Sequence, residues 1–394
     1  MENWHSKRLM FPTRRITTSG GDVFRDEFSL AFDGSNDYVD LGSKALAGDD
    51  VSISAWIYLT TSQVAGILSY GDIIFRLNSS TNLRWFADKD GTSSSVTIDD
   101  ALNRWTHIGV SSNDGVTSFY QDGVLKETET DTTLGNDSVA SYIGRTGTDY
   151  FPGKISEIAL YNKVLSASEI KTLYNGREPY NHKEGICSSN LKAWWRMGDG
   201  VLDSFPIIQD QVNRNIGSNL VSNPTFDTNT TGWEQYAGGS GDDNVISRET
   251  SIVHSGSGSL KIVYAAGNDG WGARLSGDAI TGTANKLMLM EAYVYIPSGG
   301  YNGGSPIIVD GGSFASATNQ VNTAADVSIT DQWQYVRAVH RLDSDATGTI
   351  FLHTTGTDPS AGDILYWDDI SVRMLDDDAG QMFNMTASDF EGDT

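Results

Sequence analysis

Residues 51–59, VSISAWIYL, alternate with a period of two: Val51, Ile53, Ala55 and Ile57 fall on one face, Trp56 and Tyr58 on the other. The same alternation recurs in GILSYG, DIIFRLN, LRWFAD, RWTHIGVSSN, TSFYQDGVLKE, SYIGRT and GKISEIALYN. Asp-Gly pairs at 90–91, 114–115 and 122–123 mark tight turns between them. Short strands at regular spacing predict an antiparallel β-sandwich over residues 28–176. The segment closes on SASEIKTLYNG, where Ser166 is placed to cap a short helix, Glu169 to complete a capping box and Gly176 to stop it. A second series of strand-like runs fills residues 217–376, and runs with helical periodicity are scarce throughout. The chain is therefore expected to be all-β.

In order, LAFDGSNDYVDLG, SISAWIYL, RWTHIGVS, FYQDGVL, YIGR and FPGKISEIALYNKVLSASEIKTLYNG resemble laminin-G-like, concanavalin A-like domains of the pentraxin type. The resemblance implies a concanavalin A-like antiparallel β-sandwich for 28–176. It also implies calcium at the sandwich rim, for which Asp33, Asp37 and Asp72 are the candidate ligands. The alternative for Asp33 and Asp37 is service to the DGSND turn, where Asx side chains bond nearby backbone. Relatives of this fold include lectins, adhesins, decoration domains and hydrolases. Laminarinase-type hydrolases place acidic residues at alternate positions of one strand, so that two carboxylates face one cleft. KISEIALYN offers only Glu157, expected as a solvent-facing strand residue. With no acid pair, the expectation is a protein that is not an enzyme.

The runs NLVSNPTFDTNTTGWEQYAG, VHSGSGSLKIVYAAGNDGWGARL, KLMLMEAYVYIPSG, DQWQYVRAVHRL and DILYWDDISVRML resemble family 4/9-type carbohydrate-binding modules. This implies a galactose-binding-like β-jelly-roll over 217–376. Sugar binding would be aromatic, the apolar C–H face of a pyranose lying on a ring while its hydroxyls take polar partners. Trp271 is the candidate platform, unless it packs beneath its Gly-rich loop. Tyr264 and Tyr301 are further platforms, and Asn268, Asp269 and Arg274 candidate hydrogen-bonding partners. Trp233, Trp333 and Trp367 are expected in the core. In YWDDISV one aspartate must point inward, which calls for a structural calcium or for backbone donors. Asp368 is the first candidate ligand, with Asp369 and Asp227 beside it.

Charge narrows the picture. A net charge of -24 argues against nucleic acid as partner, since a phosphate backbone would be repelled. No apolar run reaches the roughly 20 residues of a membrane span, and the N-terminus shows no apolar signal region. The one cysteine, Cys187, excludes an intramolecular disulfide and is read as an unremarkable thiol. LKAWWRMGDG (191–200) and GQMFNMTASDF (380–390) read as two halves of one motif, found joined in phage structural proteins that this chain resembles. Segments 190–216 and 379–394 are therefore expected to pair, with 177–216 and 377–394 completing a subdomain interrupted by the jelly-roll. Trp194 and Trp195 would bury a ring against the first sandwich.

That resemblance implies a non-enzymatic virion protein (capsid decoration, fibre or tail appendage), made in the host cytoplasm and displaying glycan-binding sandwiches for adhesion. Homo-oligomers would multiply weak contacts with host-surface glycans. Residues 1–27 would form an arm on which Lys7, Arg8, Arg14 and Arg15 dock to other virion proteins. The alternative is a bacterial secreted or surface carbohydrate-binding adhesin.

Overall fold

The computed structural model describes residues 24, 26–46, 48–87, 92–113, 115–130, 134, 137–178, 180–200, 203–212, 216–236, 244–267, 270–277, 279–312, 314, 320–375 and 379–392. The structure is all-β, as the alternation predicts, with one short α-helix among the described residues. The chain divides into two compact units, Met1–Arg214 with Asp378–Thr394, and Asn215–Asp377.

The first unit is a sandwich of two antiparallel sheets. One runs in the order Val124–Thr130, Val116–Gln121, Trp105–Asn113, Val51–Leu59, Pro152–Tyr161, Phe28–Asp33, Phe390–Gly392, and Leu191–Trp195 also pairs with Pro152–Tyr161. The facing sheet runs Ile207–Ile208, Gly380–Phe383, Tyr38–Lys44, Val139–Ile143, Ala65–Tyr70, Ile73–Ser79, Asn82–Ala87, Thr92–Thr97. Gly380–Phe383 lies between the segment before the second unit, with Gln381 opposite Ile207, and Tyr38–Lys44, with Phe383 opposite Tyr38. The final strand then crosses to the other sheet, where Phe390 faces Leu30. Residues on either side of the second unit thus complete both sheets of the first.

Val51, Ile53, Ala55 and Ile57 are all fully buried between the sheets, joined by Phe75, Trp85, Phe119 and Trp195. The other face of Val51–Leu59 is also covered. Trp56 stacks on Tyr174 of helix Ala167–Tyr174 (centroids 5.8 Å apart), whose Ile170 and Leu173 close a second core with Trp194 and Tyr161. Ser166 and Glu169 form the predicted capping box, and the helix ends in left-handed Asn175 and Gly176.

The second unit packs a sheet ordered Trp233–Gln235, Trp271–Leu275, Ala346–Thr355, Ile280–Gly282, with Ser305–Gly312 also on Ala346–Thr355, against a six-stranded sheet. That sheet runs Val245–Glu249, Ser259–Val263, Ile364–Met374, Leu287–Tyr295, Trp333–Arg341, Gln320–Asn322. Trp233 and Trp367 belong to its core. Trp333 does not: it is partly exposed on the outer face, its ring beside Tyr295 and His254. Along Leu287–Tyr295, Met288, Met290, Ala292 and Val294 take the inner face, and strict alternation then sends Tyr295 and its cross-strand partner Trp333 outward.

Candidate functional site

On the smaller sheet of the second unit, side chains turned away from the core form an aromatic wall. Ala273, Leu275, Ile350 and Leu352 face inward, which leaves Arg274, Phe351 and His353 on the outer side. Trp271, half-buried, stacks on His353 with centroids 4.2 Å apart and planes 15° from parallel. Phe351 meets the indole edge-on at 4.6 Å and Tyr236 at 5.7 Å. The Arg274 guanidinium lies 4.7 Å from the Tyr236 ring and pairs with Glu234 at 2.5 Å. Burial pushes the His353 imidazole below its ordinary pKa, against the opposing pull of Asp358.

The backbone beneath is arranged for these rings. Register slips between Trp271 and Ala273, where the strand departs from regular pairing with Ala346–Thr355. The amide of buried Asn244 donates to the carbonyls of Tyr236 (2.9 Å) and Trp271 (2.5 Å), and its oxygen accepts the Ala265 N–H. Gly270, at φ +82°, precedes the slip; a Cβ there would come within 2.8 Å of the Thr354 carbonyl.

Of the expected sugar contacts, Trp271 and Arg274 stand together on this wall. Tyr264 is instead a core residue, 2 % exposed, its hydroxyl under Gly272, so no ring face is open to a ligand. Tyr301 packs against the same core and donates its hydroxyl to the Gly304 carbonyl at 2.7 Å, which spends it on a loop. Asn268 and Asp269 lie outside the described residues, as do Lys7, Arg8, Arg14 and Arg15. Sequence reasoning missed Tyr236, Phe351, His353 and Glu234. The signal for two of them was present in TIFLHTT, where Phe351 and His353 alternate with apolar Ile350 and Leu352.

The carboxylates expected to hold calcium also accept hydrogen bonds from nearby backbone and side chains. Asp368, fully buried, accepts the N–H groups of His254 (2.9 Å) and Ser255 (3.1 Å) on one oxygen and that of Asp369 (2.8 Å) on the other. Burial raises its pKa to about 6 against the pull of those amides. Asp369 binds the His254 ring and the Ser255 hydroxyl, and Asp227 accepts the Ser257 N–H at 2.6 Å. Three carboxylates therefore fasten the 254–257 loop. Asp33 accepts the amides of Ser35 and Asn36, Asp37 that of Asp33, and Asp72 that of Asp137. Among the described residues, no three carboxylate, histidine or cysteine groups gather as a metal-holding cluster.

Glu157 is not solvent-facing. It sits in a bulge of Pro152–Tyr161 at φ +51° and is 2 % exposed, its side chain on the face covered by Trp194. Its carboxylate accepts Trp194 Nε1–H at 2.6 Å and Arg196 Nε–H at 2.9 Å. Arg196 and Trp194 line a cavity of about 420 Å³ with Phe24, Lys183, Asp199 and Gln211, but Glu157 does not reach it. Asp199 does, yet one of its oxygens already accepts the amides of Glu27 and Phe28. Glu184 lines the same cavity.

A profile of the family described as Laminin_G_3, Concanavalin A-like lectin/glucanases superfamily, matches residues 33–171. No curated protein matches the chain in sequence. Among solved structures, a protein of Bacteroides ovatus described as a candidate carbohydrate binding protein is 20% identical over 49% of this chain, with a TM-score of 0.37; the chain spans 60% of that structure. The heptameric SAP-like pentraxin of Limulus polyphemus is 14% identical (38% of this chain, 82% of the pentraxin, TM-score 0.33). The CBM22-1 xylan-binding domain of Paenibacillus barcinonensis Xyn10C is 18% identical (40% of this chain, 96% of the domain, TM-score 0.32).

Proposed function

We propose that the protein is a non-enzymatic carbohydrate-binding protein that holds a neutral saccharide on the Trp271 wall and serves as an adhesin at a cell surface or outside the cell. The observation that carries this is the grouping of the half-buried rings of Trp271, Tyr236 and His353 on one outward sheet face, backed by buried Phe351, beside the Arg274–Glu234 pair. Rings supply the surface on which a pyranose stacks its C–H face, and an ion pair both donates and accepts toward its hydroxyls. Arg274 and Glu234 neutralise each other, which suits a neutral sugar. The lectin-type profile over the first sandwich supports the same class. Display on a phage particle would use the same wall, but the residues proposed to dock it lie outside the described structure, so the adhesin is the reading put forward.

A glycan array probed with the full chain and with Trp271→Ala tests this. Neutral oligosaccharides should appear among the hits and weaken about tenfold or more in the variant, the equivalent of about 1.4 kcal/mol. An array with no hits, or hits indifferent to Trp271→Ala, would defeat the proposal.

A further inference from the structure

The first unit carries a second aromatic constellation, unrelated to the Trp271 wall. On the outer face of its Gly380–Phe383 sheet, Tyr38 stacks on Phe383 with centroids 5.1 Å apart and planes 12° from parallel. Tyr142, on the neighbouring strand, meets Tyr38 edge-on at 5.5 Å. Over these rings folds a small hairpin, Arg145–Thr146 paired with Asp149–Tyr150. It lies so close that a Cβ on Gly66 would come within 2.4 Å of the Thr146 nitrogen, and the Gln63 side chain donates to the Tyr150 carbonyl at 3.3 Å. Asp149 ties it to the sheet through a 2.7 Å ion pair with Arg76.

The hairpin delivers Arg145 into a cage of three tyrosines. Its Cζ lies 4.9 Å from the Tyr38 ring centroid, 4.8 Å from Tyr142 and 5.5 Å from Tyr150. Nε–H is spent on the Gly147 carbonyl at 2.8 Å, and the two terminal nitrogens take no acceptor among the described residues. The hydroxyls of Tyr38, Tyr142 and Tyr150 take none either. In a chain with 51 acidic residues, an arginine so fixed and yet without a carboxylate partner is unusual. The nearby acids are already committed, Asp149 to Arg76 and Asp40 to the Gly42 N–H.

A guanidinium held by stacking, with its terminal fork open, matches the planar carboxylate it binds bidentately. Tyrosine faces and free hydroxyls around that fork match a sugar ring. We infer that this face binds a saccharide bearing a carboxylate, with Arg145 gripping the acid group and Tyr38, Tyr142 and Tyr150 contacting the ring. The two units then read different sugars, a neutral one on the Trp271 wall and an acidic one here.

The test is calorimetric titration of the full chain with trigalacturonate, with neutral galactotriose and a sulfated galactotriose as the other probes. Trigalacturonate should bind, weaken with added salt, and lose about tenfold in affinity in Arg145→Gln and in Arg145→Lys, since lysine keeps the charge but not the fork. Trp271→Ala should leave this affinity unchanged even if the neutral-sugar site fails, which separates the two proposals. Melting temperatures of the variants guard against misfolding, and Tyr142→Phe, which preserves packing but removes a hydroxyl, should weaken binding several-fold. An unchanged affinity in both Arg145 variants, equal binding of galactotriose, tighter binding of the sulfated sugar, or no binding of trigalacturonate would each overturn the inference.

Discussion

Glu157 is the residue whose sequence reading and structural role differ most, and its removal gives a sharp test. The side chain is buried, so Glu157→Ala leaves the Arg196 guanidinium (13 % exposed) and Trp194 Nε1 without their shared acceptor. Breaking a buried pair by deleting one partner costs roughly 3–5 kcal/mol. Arg196 keeps other partners, among them the Asp199 carbonyl, bonded from Nη1 at 2.8 Å, so the lower end of that range, about 3 kcal/mol, is expected. Glu157→Gln retains one oxygen but turns an NH2 toward the second donor, for roughly 1–3 kcal/mol. The backbone provides a control, because φ is +51°. Glu157→Gly has no Cβ to strain there and should be about 1 kcal/mol more stable than Glu157→Ala despite losing the same carboxylate. The assay is urea unfolding of the full chain, reading the transition of the first unit and using that of the second as internal reference. A loss below about 1 kcal/mol in Glu157→Ala would refute the reasoning. So would polysaccharide hydrolysis by the wild type that Glu157→Gln abolishes.

Three further outcomes follow from the same contacts. Asp203 accepts the amides of Gly198, Gly200 and Gln209, yet burial raises its pKa to about 6 from an ordinary 3.8. The folded state then holds a proton that the unfolded chain has lost, so this contribution is full below pH 4 and disappears as pH rises toward 6. Asp203→Asn should flatten that part of the stability profile, and an identical profile would contradict the assignment. In the second unit, the buried Asp310 carboxylate hydrogen-bonds the His340 ring at 2.5 Å, so Asp310→Ala should cost that unit roughly 1–3 kcal/mol in the same urea assay, with no measurable loss counting against it. Chelation should leave both melting transitions in place, because the candidate calcium ligands are bonded to main-chain amides; a fall of several degrees reversed by calcium would show otherwise.

What could be read from the chain was whatever depends on neighbours in sequence. Alternation placed Val51, Ile53, Ala55 and Ile57 in the core, and the cap residues fixed the start of the helix. Glu157 was misread because the outer face it shares with Ala159 and Tyr161 is covered by Trp194 and the second core, and nothing local announces that cover. Tyr264 was expected as a further platform, but it follows an inward-facing run that carries it under Gly272. The Trp271 wall needs strands around 234, 272 and 352 side by side, and pairing across such separations is a tertiary fact. Arg145 was hidden for a related reason, since its cage comes from Tyr38 on a distant strand and from a hairpin folded back over the sheet.

The central claim, a saccharide seated on the Trp271 wall, is met most directly by nuclear magnetic resonance of the tryptophan indoles. With ten tryptophans in the chain, the indole N–H region is assignable by single substitution. A neutral oligosaccharide that binds on the array should shift the Trp271 signal, saturating at the affinity measured for the whole chain, while the buried Trp367 and Trp85 signals stay still. If the Trp271 signal stays fixed while another tryptophan saturates, the sugar sits elsewhere and the wall is not its site.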